Sequence, residues 1–382
     1  MASPLAHILV IGTLALPGSA AGETVNVCNE ETELMDFTAV GGNGRDRLEL
    51  AVICGPAGPA TIGGHVELWE ITGTDAPHFE KIGQLDDVAN PDRATKGDMD
   101  GDGDFDLIVV NQGQHKRTVR IFRNDGDGTF APVPHVFDRG GAPTGDVSVH
   151  DANADGAMDI LIGRGATPQG ATVLINAGEG AIGPFRQQAL IPEKSVNPGI
   201  QADMTGDTFP GMAVPLPRHG RIRLFFGHSD DQAEMTLGKA ARSVESVMAG
   251  GDTDGNGIPE ILVTTRKDAT TVETRLAISE DGEDWAMSDP IPNADDPVFA
   301  FFASVDADPE KEMLIVTGSD LRNRDFLVRA YDWSKKGIFG AGMLDLGAYP
   351  YSLMIAPVQG DERAEILVGD MPRNEIRVIG WD

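Results

Sequence analysis

The sequence predicts an all-β fold in which one small sheet is repeated around the whole chain. Three observations carry this expectation. The 382 residues include 47 Gly and 24 Pro, with few periodic segments of helix length. An acidic turn followed by an apolar strand returns about every fifty residues. The last such unit is one strand short, and a spare strand candidate precedes the first.

In chain order, the first element is "ILVIGTLAL" (8–16), an apolar run followed by small residues at Ser19, Ala20 and Ala21. A run this short does not span a bilayer. Its position fits a signal peptide over 1–21, although His7 is the only basic group ahead of it. The mature chain, 22–382, is then expected to be secreted or periplasmic, with no membrane insertion. Cys28 and Cys54 are its only cysteines. They read as a disulfide or, nearly as well, as two buried thiols. The spare strand is "ETVNVCNE" (23–30).

The repeats follow. "DMDGDGDFDLIVV" places Asp98, Asp100, Asp102 and Asp106 at positions 1, 3, 5 and 9 of a loop, with Gly103 at position 6 and the carbonyl of Asp104 at position 7. Carboxylates at this density repel one another unless a cation compensates them. Hard oxygen ligands in this number suit Ca2+. An EF-hand is excluded, because position 12 is Val109 and the flanking run reads as a buried strand. Two further loops repeat the pattern. One carries Asp151, Asn153, Asp155, Ala157 (by its carbonyl) and Asp159; the other carries Asp252, Asp254, Asn256, Ile258 (by its carbonyl) and Glu260. About three structural calcium ions are therefore expected.

Weaker copies surround Glu49, Gly211, Glu312 and Glu365. With the position-9 residues as markers (49, 106, 159, 211, 260, 312 and 365), the spacings are 57, 53, 52, 49, 52 and 53 residues. A unit of this length with four short strands is the sign of a propeller blade. Seven units predict a seven-bladed β-propeller of four-stranded blades. The N-terminal strand closes the last blade, since a propeller must join its ends. In the degenerate loops Arg45, Lys311 and Arg363 fall where a cation would otherwise sit.

These motifs, together with "NDGDGTF" (124–130), resemble the FG-GAP or VCBS repeat family, whose fold is the propeller of the integrin α-chain head. The resemblance covers essentially the whole mature chain. Three loops match it strongly. Four depart: position 1 is lost at Gly41 and Pro357, position 9 is Gly211, and the sixth loop is about two residues short.

Function is then sought away from the metal loops. With strands A to D numbered outward, the metal loops join A to B. The acidic C–D turns share that end of the blade, whereas the B–C loops and D–A connections lie at the other. The B–C loops carry Arg117, Arg164, Arg218 with His219, Arg266, Arg322 and Arg373, so six blades of seven place a cation there. The first has only His65. The D–A connections add Arg93, Lys96, Arg139, Lys194, Lys239 and Arg242, and Tyr349 and Tyr351 stand in the last of them. Trp69, Trp285, Trp333 and Trp381 fall on or beside outer strands, which argues against a neutral-sugar lectin.

A net charge of −30 argues against nucleic acid or an anionic membrane as partner of the whole molecule. Set against it, a ring of Arg is expected to take an anionic glycan or an acidic protein segment. The leading expectation is a monomeric, calcium-stabilised binding module. Two alternatives stand beside it. One is a polysaccharide lyase-like enzyme acting on a uronate polymer, with Arg218, His219, Arg266 and Tyr349 as candidates; the other is an adhesion or assembly module. Ser/His/Asp signatures, phosphate loops and dinucleotide motifs are missing from the sequence.

Overall fold

A computed structural model describes residues 23–380, apart from 42–46, 59–62, 74–76, 112–117, 134–136, 139–143, 154, 165–169, 177, 179, 192–199, 203–210, 217–220, 226–231, 237–243, 283, 305–310, 319–325, 335–336, 348 and 357–364. The expected signal peptide lies outside the described residues. Among those described, the only helical element is a 3-10 turn, Met371–Arg373. No described helix is long and apolar enough to cross a membrane.

The first strand is β1 (Thr24–Asn26). Blade 1 follows as β2 (Thr32–Gly41), β3 (Arg47–Pro56), β4 (His65–Thr72) and β5 (His78–Leu85). Blade 2 is β6 (Pro91–Gly97), β7 (Asp106–Asn111), β8 (Thr118–Asn124), β9 (Phe130–Pro132) and β10 (Phe137–Asp138). Blade 3 is β11 (Thr144–His150), β12 (Asp159–Arg164), β13 (Gly170–Asn176) and β14 (Phe185–Ile191). Blade 4 is β15 (Ile200–Ala202), β16 (Gly211–Leu216), β17 (Arg221–Phe225) and β18 (Gln232–Thr236). Blade 5 is β19 (Val244–Gly251), β20 (Glu260–Arg266), β21 (Val272–Ser279) and β22 (Trp285–Met287). Blade 6 is β23 (Pro297–Ala303), β24 (Glu312–Gly318), β25 (Phe326–Ser334) and β26 (Gly337–Asp345). Blade 7 has β27 (Ser352–Ala356), β28 (Glu365–Asp370) and β29 (Glu375–Ile379).

Each blade is an antiparallel meander, and β1 supplies the fourth strand of blade 7 by pairing with β29. Blade 2 counts five strands because its outer strand is broken: β9 and β10 both pair with β8, at opposite ends. Six of the seven position-9 markers are the first residue of a B strand: 106, 159, 211, 260, 312 and 365. The reason is physical. The apolar run that follows each marker is buried on both faces, as in β7, β24 and β28, and pairing starts where that run starts.

The chain forms two compact units. One holds blades 7, 1, 2 and 3. In it the sheets pack face to face in chain order. Leu34, Leu50, Leu367 and Val378 join blades 7 and 1; Ile53, Val66, Val109 and Phe122 join blades 1 and 2; Ile108, Ile121, Ile160 and Leu174 join blades 2 and 3. The other unit holds blades 4, 5 and 6. There Leu224, Val263 and Ala277 join blades 4 and 5, while Leu262, Leu276, Ile315 and Tyr331 join blades 5 and 6.

Closure of blade 7 is fixed by more than three residues of ladder. Val27 N–H donates to Asn374 O (2.8 Å), and Asn374 in turn accepts from Leu34 N–H and donates to Thr32 O, both at 2.8 Å. Cys28 and Cys54 form a disulfide, which decides between the two readings of the sequence. Cys28 N–H also donates to the buried carboxylate of Glu67 (3.0 Å), which accepts from Trp69 Nε1 (2.9 Å) and Lys81 Nζ (2.7 Å) as well. The segment that closes blade 7 is thus clamped to blade 1.

Candidate metal loops and the opposite end of the blades

The turns between the first two strands of blades 2, 3 and 5 share one construction. Gly at positive φ makes the bend, at Gly103, Gly156 and Gly257. The position-1 carboxylate then gathers backbone N–H groups inside the turn. Asp98 accepts from Gly101, Asp102 and Gly103 (2.8, 3.1 and 3.0 Å). Asp151 accepts from Asp155 and Gly156 (3.2 and 2.8 Å), and Asp252 from Gly255 and Gly257 (2.8 and 3.0 Å).

The position-9 carboxylates are buried and face inward. Asp106 accepts from Met99 N–H (2.8 Å) with one oxygen and from Asn124 N–H (2.9 Å) with the other. Asp159 repeats this with Ala152 and Asn176 (2.9 and 2.7 Å). Position 9 therefore ties the loop to the third strand, a role that its spacing alone does not announce. Glu260 differs. One of its oxygens accepts from Thr253 N–H and Oγ1 (2.9 and 2.6 Å), and the other, Oε1, is buried without a hydrogen-bond partner.

Electrostatics mark the same groups. Burial pushes Asp106 up to about 6 and Asp159 to about 7, with Asp100 and Asp102, or Asp155 and Asp151, adding repulsion. Glu260 is raised for the same reasons, burial first. Asp100 is raised too, by burial and by Asp102, and its Oδ1 is a second buried oxygen without a partner. Ligand atoms of Asp98, Asp100 and Asp106 lie within 4.8 Å of one another, as do those of Asp252, Asp254 and Glu260. A divalent cation would offset both the desolvation and the mutual repulsion. The residues of blades 2 and 5 fit one: all donors are hard oxygens, and each set includes an orphaned buried oxygen. Blade 3 brings no such trio together among the described residues; there Asn153 Nδ2 donates to Asp155 (2.8 Å).

Blade 1 shows a compensating cation that the sequence reading does not name. Arg45 and Arg363 lie outside the described residues, and Lys311 is exposed. The described cation is Arg47, which pairs with Glu49 at the position-9 slot and with Glu70 on β4. Beside it a cleft of about 430 Å³ runs to blade 2, bounded by Glu49, Asp104, Phe105 and Asp127. The Asp104 side chain lies against Gly126 of the C–D turn, where a Cβ would overlap it.

At the opposite end of the blades, Arg266 is exposed at the end of β20 and reaches Ala269 O (3.4 Å). Arg373 stands in the 3-10 turn and donates to the buried Asp370 (2.9 Å). Arg164 closes β12. Arg117, Arg218, His219 and Arg322 lie outside the described residues. His65, expected in the first B–C loop, instead opens β4, buried, with Nε2 3.3 Å from Glu67.

Two predicted connection residues move. Arg93 and Lys96 belong to the inner strand β6. Lys96 falls at its metal-loop end, over the ring of Phe105 (4.4 Å), where burial lowers its pKa. Arg93 stays at the other end, over the ring of Tyr351 and within electrostatic reach of Asp36, a cluster that inspection of single loops misses. Asp36 accepts from Ser352 Oγ (2.6 Å) and Ala94 N–H (3.0 Å), so it ties together the inner strands of blades 7, 1 and 2. Trp69, Trp285 and Trp333 sit on outer strands, as expected, and pack into the cores between sheets.

Comparison with known proteins agrees with this geometry. The family model for FG-GAP-like repeats matches residues 98–162, which contain both the Asp98 and the Asp151 loops. No curated protein sequence matches the chain. In structure the chain is similar to BBS1N, solved in complex with ARL6DN (TM-score 0.59, 10% identity, 96% of this chain and 98% of that one). It is also similar to U3-55K (0.52, 10%, 95% and 100%) and to the WD40 repeats of RRP9 (0.51, 9%, 96% and 99%). At these identities the likeness concerns the fold alone. The fold is the β-propeller of four-stranded blades.

Proposed function

We propose that this chain, a β-propeller carrying FG-GAP-like repeats, is an exported, calcium-stabilised binding module. It takes an anionic partner, an acidic glycan or an acidic protein segment, at the blade ends opposite its metal loops. The observation that carries the reading is the division of charge between the two ends of the blades. The A–B turns of blades 2, 3 and 5 cluster carboxylates that organise their own loops. The B–C connections hold a cation in six blades, in a chain whose net charge is −30. Anion binding at such a place is a local feature, since the whole-molecule field opposes it.

Calcium, about three ions in blades 2, 3 and 5, has a structural role in this reading: it stiffens turns. The buried orphan oxygens of Asp100 and Glu260 support it. Removal of residues 1–21 and release to the periplasm or the exterior are supported by the Cys28–Cys54 disulfide, a bond suited to an oxidising compartment.

The test is binding of acidic polymers by the mature chain as salt is raised. Affinity should fall steeply with ionic strength, and neutral polymers should not bind. Reversing Arg164, Arg218, Arg266 and Arg322 to Glu should abolish binding. Reversing Arg123, Lys335 and Lys336 should not. Equal weakening by both sets overturns the site. Release of unsaturated sugar ends that stops in a His219→Ala variant would instead establish a lyase.

A further inference from the structure

The cluster at the inner strands of blades 7, 1 and 2 does more than the loop cations can. All of its members lie in one compact unit, at the end of the blades that carries the B–C connections. The guanidinium of Arg93 lies 5.5 Å from the centre of the Tyr351 ring, and its Nη1 donates to Met35 O and Asp92 O (3.1 and 3.3 Å). The ring of Tyr349 follows at 6.3 Å, tilted by 43° to that of Tyr351. Asp36, next to them, is bound by Ser352 Oγ and Ala94 N–H. Arg93, Tyr349, Tyr351 and Asp36 all keep part of their surface exposed.

Knitting three blades together accounts for Asp36 and Ser352. It does not account for the tyrosines. The chain has only three, and two of them stand partly exposed and side by side, one of them under the Arg93 guanidinium. Together the groups offer an aromatic face, a planar cation and a carboxylate–hydroxyl pair. Those are the complements of an apolar sugar face, a carboxylate and ring hydroxyls.

We infer that Arg93, Tyr349, Tyr351 and Asp36 form a subsite for a single uronate unit of an acidic glycan. The inference rests on the reading that this end of the blades binds anions, and it names which anion. Arg93 takes the sugar carboxylate, the tyrosine rings take its C–H face, and Asp36 accepts from a hydroxyl. Arg93 acts electrostatically on Asp36, so the cluster sets one positive group beside one negative group. A ligand that brings only negative charge gains Arg93 and meets Asp36, so an acidic peptide is disfavoured. A uronate brings a carboxylate and hydroxyl donors on one ring and satisfies both.

The experiment uses the mature chain in calcium, with hexamers of galacturonate, glucuronate and mannuronate titrated by calorimetry. The methyl-esterified hexamers and an oligoglutamate of equal charge serve as comparisons. At least one uronate hexamer should bind, and the ester and the oligoglutamate should bind about tenfold more weakly or worse. Tyr349→Ala and Tyr351→Ala should each weaken binding by about tenfold, the loss of an anchor residue. Tyr351→Phe, which keeps the ring, should bind nearly as the parent does. Labelling with fluorotyrosine gives a second readout that needs no truncation: of three fluorine signals, those of Tyr349 and Tyr351 should move on adding hexamer, and that of the buried Tyr331 should not. Uronate binding that survives both alanine variants, fluorine signals that stay in place, or equal affinity for oligoglutamate overturns the subsite while leaving an anion-binding face. Failure of every acidic probe to bind overturns both.

Discussion

In blade 2 the carboxylate of Asp106 stands with those of Asp98 and Asp100; in blade 1 Glu49, at the equivalent slot, stands with Arg47. Both groups are buried; Asp106 opens its strand, and Glu49 is the third residue of β3. Blade 2 keeps every carboxylate and relies on a cation from solution, whereas blade 1 gives up position 1, at Gly41, and brings its cation along in the chain. The difference teaches that these two blades share the buried acid and differ in what neutralises it. An internal pair is always present and is held by a half-exposed Arg side chain, so it organises its turn weakly. A metal-bound turn is rigid but only as stable as the metal supply.

Chelation is the most direct way to break this comparison. A ligand at 100 times its Kd adds about 2.7 kcal/mol per site to the folded state, so transferring the protein from calcium to chelator should lower its melting temperature by several degrees for each occupied loop. Differential scanning calorimetry reads this. Asp98→Ala and Asp252→Ala should each remove part of the calcium-dependent shift and change the melt in chelator little. Elemental analysis that finds no calcium after dialysis into micromolar calcium would exclude metal from all three loops.

A second effect lies in the closure of blade 7, and it sharpens the contrast because it needs no metal. Cys28→Ser with Cys54→Ser should cost about 3 kcal/mol for a loop of this length, equally in calcium and in chelator. Deleting residues 23–30 should cost more and promote association, because β29 is left with an open edge. A deletion variant that melts like the mature chain would show that β1 adds nothing.

The Arg47 pair comes next. Arg47→Gln should lower stability by about 1 kcal/mol, discounted for the exposed guanidinium, with no dependence on calcium. If calcium rescues it, blade 1 belongs with the metal loops after all.

Much of this contrast was legible in the sequence, and the limits of that legibility are physical. Marker residues such as Asp106, Asp159 and Glu260 locate strand starts because a buried apolar run must begin where the polar turn ends. Arg47 is not singled out by the sequence, because its second partner, Glu70, lies on β4 and is reached only through the register that pairs Glu49 with Glu70. "PDRATKG" reads as a connection, since it lacks an apolar pattern. It is nonetheless strand β6, held by its ladder to β7, so tertiary pairing overrides propensity there. Asp36, Arg93 and Ser352 come from three blades, and their meeting cannot be read from any one repeat.

The smallest expected effect concerns Glu67, the acid that receives Cys28 N–H. Burial alone would raise its pKa, but the hydrogen bonds from Lys81, Cys28, Trp69 and His65 outweigh it and hold the group below the ordinary Glu range. A depressed folded-state pKa means that the unfolded chain binds the proton more readily. Glu67 therefore contributes stability that is fully present above the unfolded-state pKa and is lost as pH falls through the lower, folded-state one. Glu67→Gln should flatten that part of the acid limb of the stability curve and leave the neutral range offset but parallel. The measurement is urea denaturation in chelator between neutral pH and the acid range, so that metal binding does not contribute and the loop carboxylates act alike in both proteins. It also separates the two ends of the blades. If the parent and Glu67→Gln curves stay parallel through the acid limb, the clamp on the closing strand is the disulfide alone. If they converge, Glu67 holds that strand through its charge, as Arg47 and Glu49 hold the first loop, with no metal at either place.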